Sequence, residues 1–210
     1  MKFNKDMLQL YAVTDRSCNT RFSVYEQVEQ ALKGGVTIVQ LREKELDEES
    51  FIAEAVKLRA LCHSYNVPLI INDNLSVALE SGADGIHVGI DDMPIAEIRR
   101  RTNADFIIGA TAKTVSQAQA AQQMGADYLG IGAIFPSPTK PNAVRITAAQ
   151  LDEIANSVDL PSVAIGGITL ENACELNGTS VCGIAVVSAL FSAPDIEAAA
   201  AAFRNVINYK

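Results

Sequence analysis

Residues 36–44, VTIVQLREK, decide how this chain folds. Val36, Ile38, Val39 and Leu41 are apolar and close together, which is typical of a strand buried on both faces, as in a parallel sheet covered by helices. Three donor-bearing side chains then follow at every second position, namely Gln40, Arg42 and Lys44. If the extended conformation continues, all three point the same way. A guanidinium and an ammonium group together predict a phosphate or carboxylate site, although a strand end that simply meets solvent fits the same pattern.

Length and composition predict one globular domain spanning residues 1–210. The chain is 49% apolar and 20% charged, which is enough for a large core. A net charge of -8 and a pI near 4.8 argue against nucleic-acid binding. The four cysteines form no CxxC pair, and no segment resembles a signal peptide or a membrane span, so a cytoplasmic protein that binds no membrane is expected. The oligomeric state stays open, and a homo-oligomer is compatible with the sequence.

Apolar strand patterns alternate with helical patterns along the whole chain. The strand patterns lie at 8–14, 36–42, 68–73, 84–89, 106–111, 127–132, 162–167 and 182–188. Helical patterns follow each of them, including 23–35 with Ser23 as N-cap, 47–65, 94–101 opened by Pro94, 115–125, 146–157, 170–178 and 195–207. An internal echo, SGADGIHVG at 81–89 and MGADYLGIG at 124–132, supports the count. Eight βα units predict an α/β fold, a single (β/α)8 TIM barrel. A doubly wound open sheet is the alternative, but GxGxxG does not follow the first strand.

In a barrel, the carboxyl ends of the strands form the active-site rim, and several polar residues fall there. Asp73 and Asp92 are candidate Mg²⁺ ligands, because two carboxylates on adjacent loops leave room for water and diphosphate oxygens. The alternative is that Asp73 caps a helix and Asp92 lies in a solvated turn. His87, between two apolar residues, is predicted to be a hydrogen-bonded core or rim histidine rather than a base.

The last two βα loops predict a phosphate-binding turn. Gly166 and Gly167 would let the backbone approach an anion, and Val187 and Ser188 would place N–H groups at a helix start. A merely tight turn would also explain the glycines. The segment 132–140, GAIFPSPTK, has turn formers, two hydroxyls and a lysine, which suits either a loop that closes over an anion or a solvated connection.

With these motifs in order, the chain resembles the thiamine phosphate synthase family over nearly its whole length. The matching stretches are VQLREK, IINDN, GADGIHVG with Asp92 three residues on, IIGATAKT, ADYLGIGAIFPSPTK, AIGGIT and GIAVVSA. The family joins a hydroxymethylpyrimidine diphosphate to a thiazole phosphate and releases pyrophosphate. The resemblance therefore implies a transferase of thiamine biosynthesis that uses Mg²⁺ and small-molecule substrates.

The resemblance also implies a role for each matching residue. It assigns Mg²⁺ to Asp73 and Asp92, and the leaving pyrophosphate to Thr111 and Lys140. The residues implied to hold the pyrimidine substrate and its diphosphate are Gln40, Leu41, Arg42, Glu43, Lys44 and Asn72. Those implied for the thiazole phosphate are Ser137, Pro138, Thr139, Gly167, Val187 and Ser188. The catalytic candidates stabilise charge on the leaving group and are Arg42, Lys44, Thr111 and Lys140.

Four positions depart from the commonest family pattern. Thr111 replaces serine and Ser137 replaces threonine, so both hydroxyls are kept. Ala133 replaces proline, and Ile90 replaces glutamine beside the predicted metal loop. Two other functions are compatible with a barrel of this kind: a thiazole tautomerase, which uses a histidine near the end of the fifth strand, and a barrel without catalysis that binds thiamine precursors. The complete set of charged residues argues against both.

Overall fold

The computed structural model describes residues 2–137 and 144–206 and shows a closed barrel of eight parallel strands. The strands follow one another around the barrel in sequence order, and the last pairs with the first. This confirms the predicted (β/α)8 barrel. The strands are β1 (Leu10–Val13), β2 (Ile38–Leu41), β3 (Leu69–Asn72), β4 (Gly85–Val88), β5 (Ile107–Ala112), β6 (Tyr128–Gly132), β7 (Ser162–Ile165) and β8 (Gly183–Val186).

The helices that connect the strands match the predicted helical patterns with one exception. They are α1 (Val24–Lys33), α2 (Glu48–Ser64), α3 (Leu75–Glu80), α4 (Ile95–Arg101), α5 (Val115–Met124), α6 (Ala148–Asn156), α7 (Ser188–Phe191) and α8 (Ile196–Val206). Of these, α7 is a single turn that was not predicted. Among the helices of the described residues, none is long and apolar enough to cross a membrane.

The predicted helix at 170–178 is wrong, because this connection contains only a 3-10 turn, Ala173–Leu176. The side chain of Asn172 accepts the N–H of Thr169 at 2.8 Å and donates to the carbonyl oxygen of Gly167 at 3.0 Å. A short polar side chain that bonds nearby backbone groups offers them an alternative to helical bonds. The segment therefore forms a turn instead of a regular helix.

The predicted start and end of α1 are both confirmed. The Ser23 hydroxyl accepts the N–H of Glu26, and the Glu26 carboxylate accepts the N–H of Ser23, which forms a capping box. Gly34 and Gly35 follow the last helical residue. A Cβ on Gly34 would lie 2.4 Å from the carbonyl oxygen of Glu197 in α8, so glycine here lets the first and last helices touch.

The core has two layers, one on each side of the sheet. The outer layer packs strands against helices and contains most of the fully buried aliphatic residues. The inner layer fills the barrel itself with residues from the strands and from Leu8, just before β1. Its members are Leu8, Tyr11, Val13, Ile38, Ile70, Ile107, Tyr128, Val163 and Ala185. Burial of each large aliphatic side chain stabilises the fold by about 1.5–3 kcal/mol, so both layers hold the strands at fixed positions.

The internal echo corresponds to a repeated contact at the amino-terminal face of the barrel. Asp84, just before β4, accepts the N–H of Leu69 at 2.9 Å. Asp127, at the equivalent place before β6, accepts the N–H of Ile108 at 2.7 Å. Each aspartate thus binds a backbone N–H of the preceding strand at the face opposite the predicted site, which is a structural role.

Candidate active site

The described residues predicted to form the site all lie in or just after the carboxyl ends of strands. Gln40 and Leu41 end β2, and Arg42 to Lys44 follow it. Asn72 ends β3, Asp73 follows it, and Asp92 is in the loop after β4. Thr111 is in β5, and Ser137, which is half-buried, is in the loop after β6. Gly167 follows β7, and Val187 and Ser188 follow β8. Pro138, Thr139 and Lys140 lie outside the described residues.

Gln40 points into the barrel, where its side chain is almost fully buried at 5% exposure. Its Nε2 donates to the hydroxyl oxygen of Tyr11 at 2.8 Å. This bond fixes the plane of the amide group, because a buried amide without partners would be costly. The strand ends one residue later, at Leu41, whose side chain is fully buried between strand and helices. A substrate can therefore meet Leu41 only through its backbone.

Arg42 turns toward the loop after β1. Its Nη1 lies 3.1 Å from Oδ2 of Asp15, and its backbone N–H donates to the hydroxyl of Thr14 at 3.0 Å. The Arg42 side chain is 21% exposed, so the guanidinium keeps an open side at the rim. The prediction that Gln40, Arg42 and Lys44 all point the same way is wrong, because β2 ends at Leu41 and the extended conformation does not continue.

Glu43 is held inside the loop rather than presented to the rim. Its side chain is 3% exposed and accepts hydrogen bonds from Nε of Arg16 and from the N–H groups of Lys44 and Glu45, and Nη2 of Arg16 lies 2.7 Å from its Oε2 as an ion pair. Burial raises the pKa of the Glu43 carboxyl, but the bonds from the Glu45 N–H, from Arg16 and from the Lys44 N–H outweigh it, so the net pKa is lowered. Glu43 therefore shapes the loop, and any role toward substrate through its side chain stays a prediction.

Lys44 turns the other way, toward the loop after β3. Its Nζ lies 3.0 Å from Oδ2 of Asp73, with 54% and 31% of the two side chains exposed. Asp73 has a left-handed backbone with φ of 61°, and its N–H donates to the carbonyl oxygen of His87 at 2.9 Å. Such a backbone is uncommon outside glycine, and it is held here between two neighbouring strands. A cation and a carboxylate thus meet at the mouth of the barrel.

Asp92 lies on the next loop, after β4, and is exposed. One of its oxygens, Oδ2, accepts the N–H of Gly89 at 2.7 Å, which closes the turn before α4. The β3 and β4 strands are neighbours, so Asp73 and Asp92 are on adjacent loops as predicted. Within the described residues no group of three or more His, Cys, Asp or Glu side chains is placed to hold a metal ion.

Thr111, His87 and Tyr128 form a connected group inside the barrel. The Oγ1 of Thr111 lies 3.1 Å from Nε2 of His87, and Nδ1 of His87 lies 3.1 Å from the Tyr128 hydroxyl. Two glycines make room for the rings: a Cβ on Gly109 would lie 2.1 Å from the Tyr128 ring, and one on Gly130 would lie 3.1 Å from the His87 ring. His87 is therefore a hydrogen-bonded rim histidine, as predicted.

The loops after β6 and β7 pack against each other. Gly166 and Gly167 have φ of 102° and 67°, and the N–H of Phe135 donates to the Gly166 carbonyl oxygen at 2.9 Å. A Cβ on Gly167 would lie 2.2 Å from the carbonyl oxygen of Pro136. These contacts are enough to explain why glycine is present in this turn. They support the explanation by a tight turn, and phosphate binding here stays a prediction.

Val187 and Ser188 connect β8 to the short helix α7. Val187 precedes the helix and its carbonyl oxygen accepts the N–H groups of Leu190 and Phe191. Both Val187 and Ser188 are half-buried at the rim, next to the loop that carries Gly167. The predicted thiazole phosphate residues of β7 and β8 therefore fall on two adjacent loops.

Sequence reasoning missed three residues that organise this rim. Asp15 pairs with Arg42, and Tyr11 and Tyr128 join their hydroxyl groups at 2.7 Å inside the barrel. The place of Tyr11 inside the barrel could have been inferred from the pairing of the strands. Tyr11 pairs with Ile38 of β2, and both side chains face the inner layer. The Asp15 contact could not have been inferred in this way, since it depends on how two loops fold.

Comparison with known proteins identifies the family. Residues 10–190 match the family model for thiamine monophosphate synthase. A thiamine-phosphate synthase of Ruminiclostridium cellulolyticum is 46% identical over 191 residues, which is 91% of each chain. The thiamine-phosphate synthase 2 of Streptococcus pneumoniae is 46% identical over 200 residues, 95% of each chain.

Comparison with solved structures leads to the same family. A thiamine phosphate pyrophosphorylase from Pyrococcus furiosus superposes with a TM-score of 0.89 at 37% identity, covering 96% of each chain. A 3-hexulose-6-phosphate synthase, at 15% identity and a TM-score of 0.69, shares the fold. The chain therefore belongs to the thiamine monophosphate synthase family and is a transferase of thiamine biosynthesis.

Proposed function

We propose that this enzyme joins hydroxymethylpyrimidine diphosphate to hydroxyethylthiazole phosphate, forming thiamine phosphate and releasing pyrophosphate. The observation that carries the proposal is the row of charges across three neighbouring loops. Arg42 and Asp15 meet between the first two loops, and Lys44 and Asp73 meet between the second and third. A diphosphate bound there would meet two cations of this chain at once, which matches the family's chemistry.

The reaction proceeds by dissociation of the diphosphate. The aminopyrimidine ring delocalises the positive charge that develops on its methylene carbon, so the barrier lies in the negative charge that gathers on the leaving group. Arg42 and Lys44 would stabilise that charge from fixed positions. Thr111 would donate its hydroxyl proton in a hydrogen bond to the same oxygens, and Lys140 is assigned to them by the family resemblance.

Asp73 and Asp92 would hold Mg²⁺. Two carboxylates on adjacent loops suit this ion, because Mg²⁺ usually takes one or two protein carboxylates and completes its shell with water and substrate phosphate. When bound, the ion would neutralise diphosphate charge. Lys44 pairs with Asp73 at 3.0 Å, so Mg²⁺ would take the place of this ammonium group at the carboxylate.

The thiazole phosphate would be anchored on the other side of the rim. The family resemblance assigns it to Ser137, Pro138, Thr139, Gly167, Val187 and Ser188. In TIM barrels, phosphate groups frequently bind at the loops after the last two strands and at a short extra helix, and α7 is such a helix. Anchoring the phosphate would hold the thiazole nitrogen near the reacting carbon, which lowers the entropic cost of the encounter.

No nucleophile of the enzyme is needed, and the cysteines agree with that. Cys18 packs half-buried in the loop after β1, and burial raises the pKa of its thiol. Cys62 is buried and its pKa is raised to about 12, chiefly by burial. A thiol with a raised pKa is a poor nucleophile at neutral pH. A covalent intermediate on either cysteine is therefore disfavoured.

The proposal includes the whole chain as one catalytic domain that works in the cytoplasm, where its two phosphorylated substrates are retained by their charge. The test is direct: purified protein, both substrates and Mg²⁺ should yield thiamine phosphate and pyrophosphate in equal amounts. Chelation of the metal should stop the reaction, and added Mg²⁺ should restore it. Folded protein that binds both substrates but forms no product would instead indicate a non-catalytic binding barrel.

A further inference from the structure

A line of hydrogen bonds crosses the inside of the barrel from Gln40 to Thr111. Nε2 of Gln40 donates to the Tyr11 hydroxyl, which lies 2.7 Å from the Tyr128 hydroxyl, and Tyr128 lies 3.1 Å from Nδ1 of His87. Nε2 of His87 then lies 3.1 Å from Oγ1 of Thr111. Five different strands contribute one residue each. The two ends of this line, which we name the interior chain, are residues assigned to opposite parts of the pyrimidine diphosphate.

The amide of Gln40 determines which group donates and which accepts in each hydrogen bond of the interior chain. Its Nε2 can only donate, so the Tyr11 oxygen accepts and the Tyr11 proton is directed to Tyr128. Tyr128 is then left to donate to Nδ1 of His87. A neutral imidazole that accepts at Nδ1 carries its proton at Nε2, so His87 donates to Oγ1 of Thr111. Burial raises the pKa of both tyrosines well above the usual value, which keeps both hydroxyl protons in place.

We propose that His87 is a positioning residue that acts through Thr111. By donating to Oγ1, it occupies an acceptor site of the threonine and directs the hydroxyl's own proton toward the departing diphosphate. The inference rests on the proposed function. At the other end of the interior chain, the bond to Tyr11 fixes the plane of the Gln40 amide.

Packing shows that the rings of the interior chain have fixed places. Tyr128 is fully buried and stacks on Phe3 with ring centroids 5.8 Å apart. The missing side chains of Gly109 and Gly130 leave the space that the two rings fill. Because well-packed rings cannot easily change rotamer, a hydrogen bond at one end of the interior chain constrains the group at the other.

The first test determines which ring nitrogen of His87 carries the proton, and it needs no catalytic turnover. The sequence has two histidines, so a His63→Gln variant labelled with ¹⁵N at histidine shows His87 alone. We expect an unprotonated Nδ1 and a protonated Nε2 near neutral pH, and a changed Nδ1 resonance when Tyr128→Phe is added. A protonated Nδ1 in the neutral ring would overturn the proposed direction of the chain.

The second test is a double-mutant cycle on the single-turnover rate of pyrophosphate release. Thr111→Val should slow release about 100-fold, and His87→Ala about tenfold, as expected for one hydrogen bond. If His87 acts through Thr111, the double variant should be no slower than Thr111→Val alone. His87→Gln should recover most of the rate, because its amide can donate from nearly the same place, whereas His87→Asn should not.

Additive losses in the double variant, or equal rates for His87→Gln and His87→Ala, would refute the positioning role. His63→Gln is the matched control and should keep the wild-type rate, because His63 pairs with Asp84 at the opposite face of the barrel. Lack of turnover in the wild-type protein would refute the proposed function and with it the catalytic part of this inference. The tautomer result would still decide the structural part.

Discussion

Gly167→Ala should separate the loop contact at the thiazole side from ordinary backbone strain. Gly167 has φ of 67°, and a Cβ built on it would lie 2.2 Å from the Pro136 carbonyl oxygen and 2.6 Å from that of Phe135. Both atoms belong to backbone, which cannot rotate out of the way. The loop after β6 would have to move by about 1 Å, and overpacking of this kind typically costs about 1–3 kcal/mol.

Gly178→Ala is the matched control. Gly178 also has a left-handed backbone, with φ of 89°, but nothing lies within 4 Å of a Cβ placed there. Left-handed backbone costs a residue with a side chain about 1–2 kcal/mol, and both variants carry that term. We therefore expect Gly178→Ala to lower the free energy of unfolding by about 1 kcal/mol, and Gly167→Ala to lower it by about 3 kcal/mol.

Urea unfolding gives the stability difference, and steady-state kinetics give its effect on the site. Because the displaced loop carries Ser137, Gly167→Ala should raise KM for the thiazole phosphate about tenfold, which corresponds to about 1.4 kcal/mol, while KM for the pyrimidine diphosphate changes little. Gly178→Ala should keep both values. Equal stability losses and unchanged kinetics in the two variants would show that the two loops do not support each other as described.

Three further predictions follow from the charged residues. Asp92→Asn should weaken Mg²⁺ dependence and turnover while leaving thiazole phosphate binding nearly intact by calorimetry; equal loss of both would contradict separate loops for the two substrates. Lys140→Ala should slow single-turnover product formation, and an unchanged rate would exclude its role at the leaving group. The lowered pKa of Glu43 means that its bonds to the Glu45 N–H, to Arg16 and to the Lys44 N–H stabilise the fold above the unfolded-state pKa of about 4.3 and are lost as the pH falls through the lower folded-state value. Glu43→Gln should therefore cost about 2 kcal/mol at neutral pH, and urea unfolding at lower pH should show the difference from wild type closing.

The positions of the eight strands in the sequence were predictable because the barrel buries both faces of every strand. Burial on both faces demands continuous apolar runs, and such runs are visible in a single sequence. The prediction of a helix at 170–178 failed because the structure there depends on one polar side chain, Asn172. Its bonds to Thr169 and Gly167 compete with the hydrogen bonds of a helix. The spacing of apolar residues along the sequence does not reveal that competition.

The rim was predictable as a set of residues but not as a set of contacts. Parallel strands end at one rim, so polar residues after each strand must gather there. Their pairing depends on loops, and Arg42 and Lys44 diverge because the chain leaves the strand after Leu41. Likewise Arg99, in the last turn of α4, binds the carbonyl oxygen of Gly125 and the Asp127 carboxylate. Contacts between distant segments leave no local pattern to detect.

The site divides into charges on loops and neutral groups on strands, and the chemistry explains the division. Coulomb attraction falls only slowly with distance, so Lys44 can stabilise a diphosphate from a partly exposed position on a loop. Hydrogen bonds weaken steeply when they are misaligned, so Gln40 and Thr111 must be held by the barrel itself. The interior chain joins these two strand residues through buried rings, independently of the loops. A loop substitution should therefore change how strongly the diphosphate is held, whereas a substitution inside the barrel should change how accurately the reacting ring is placed.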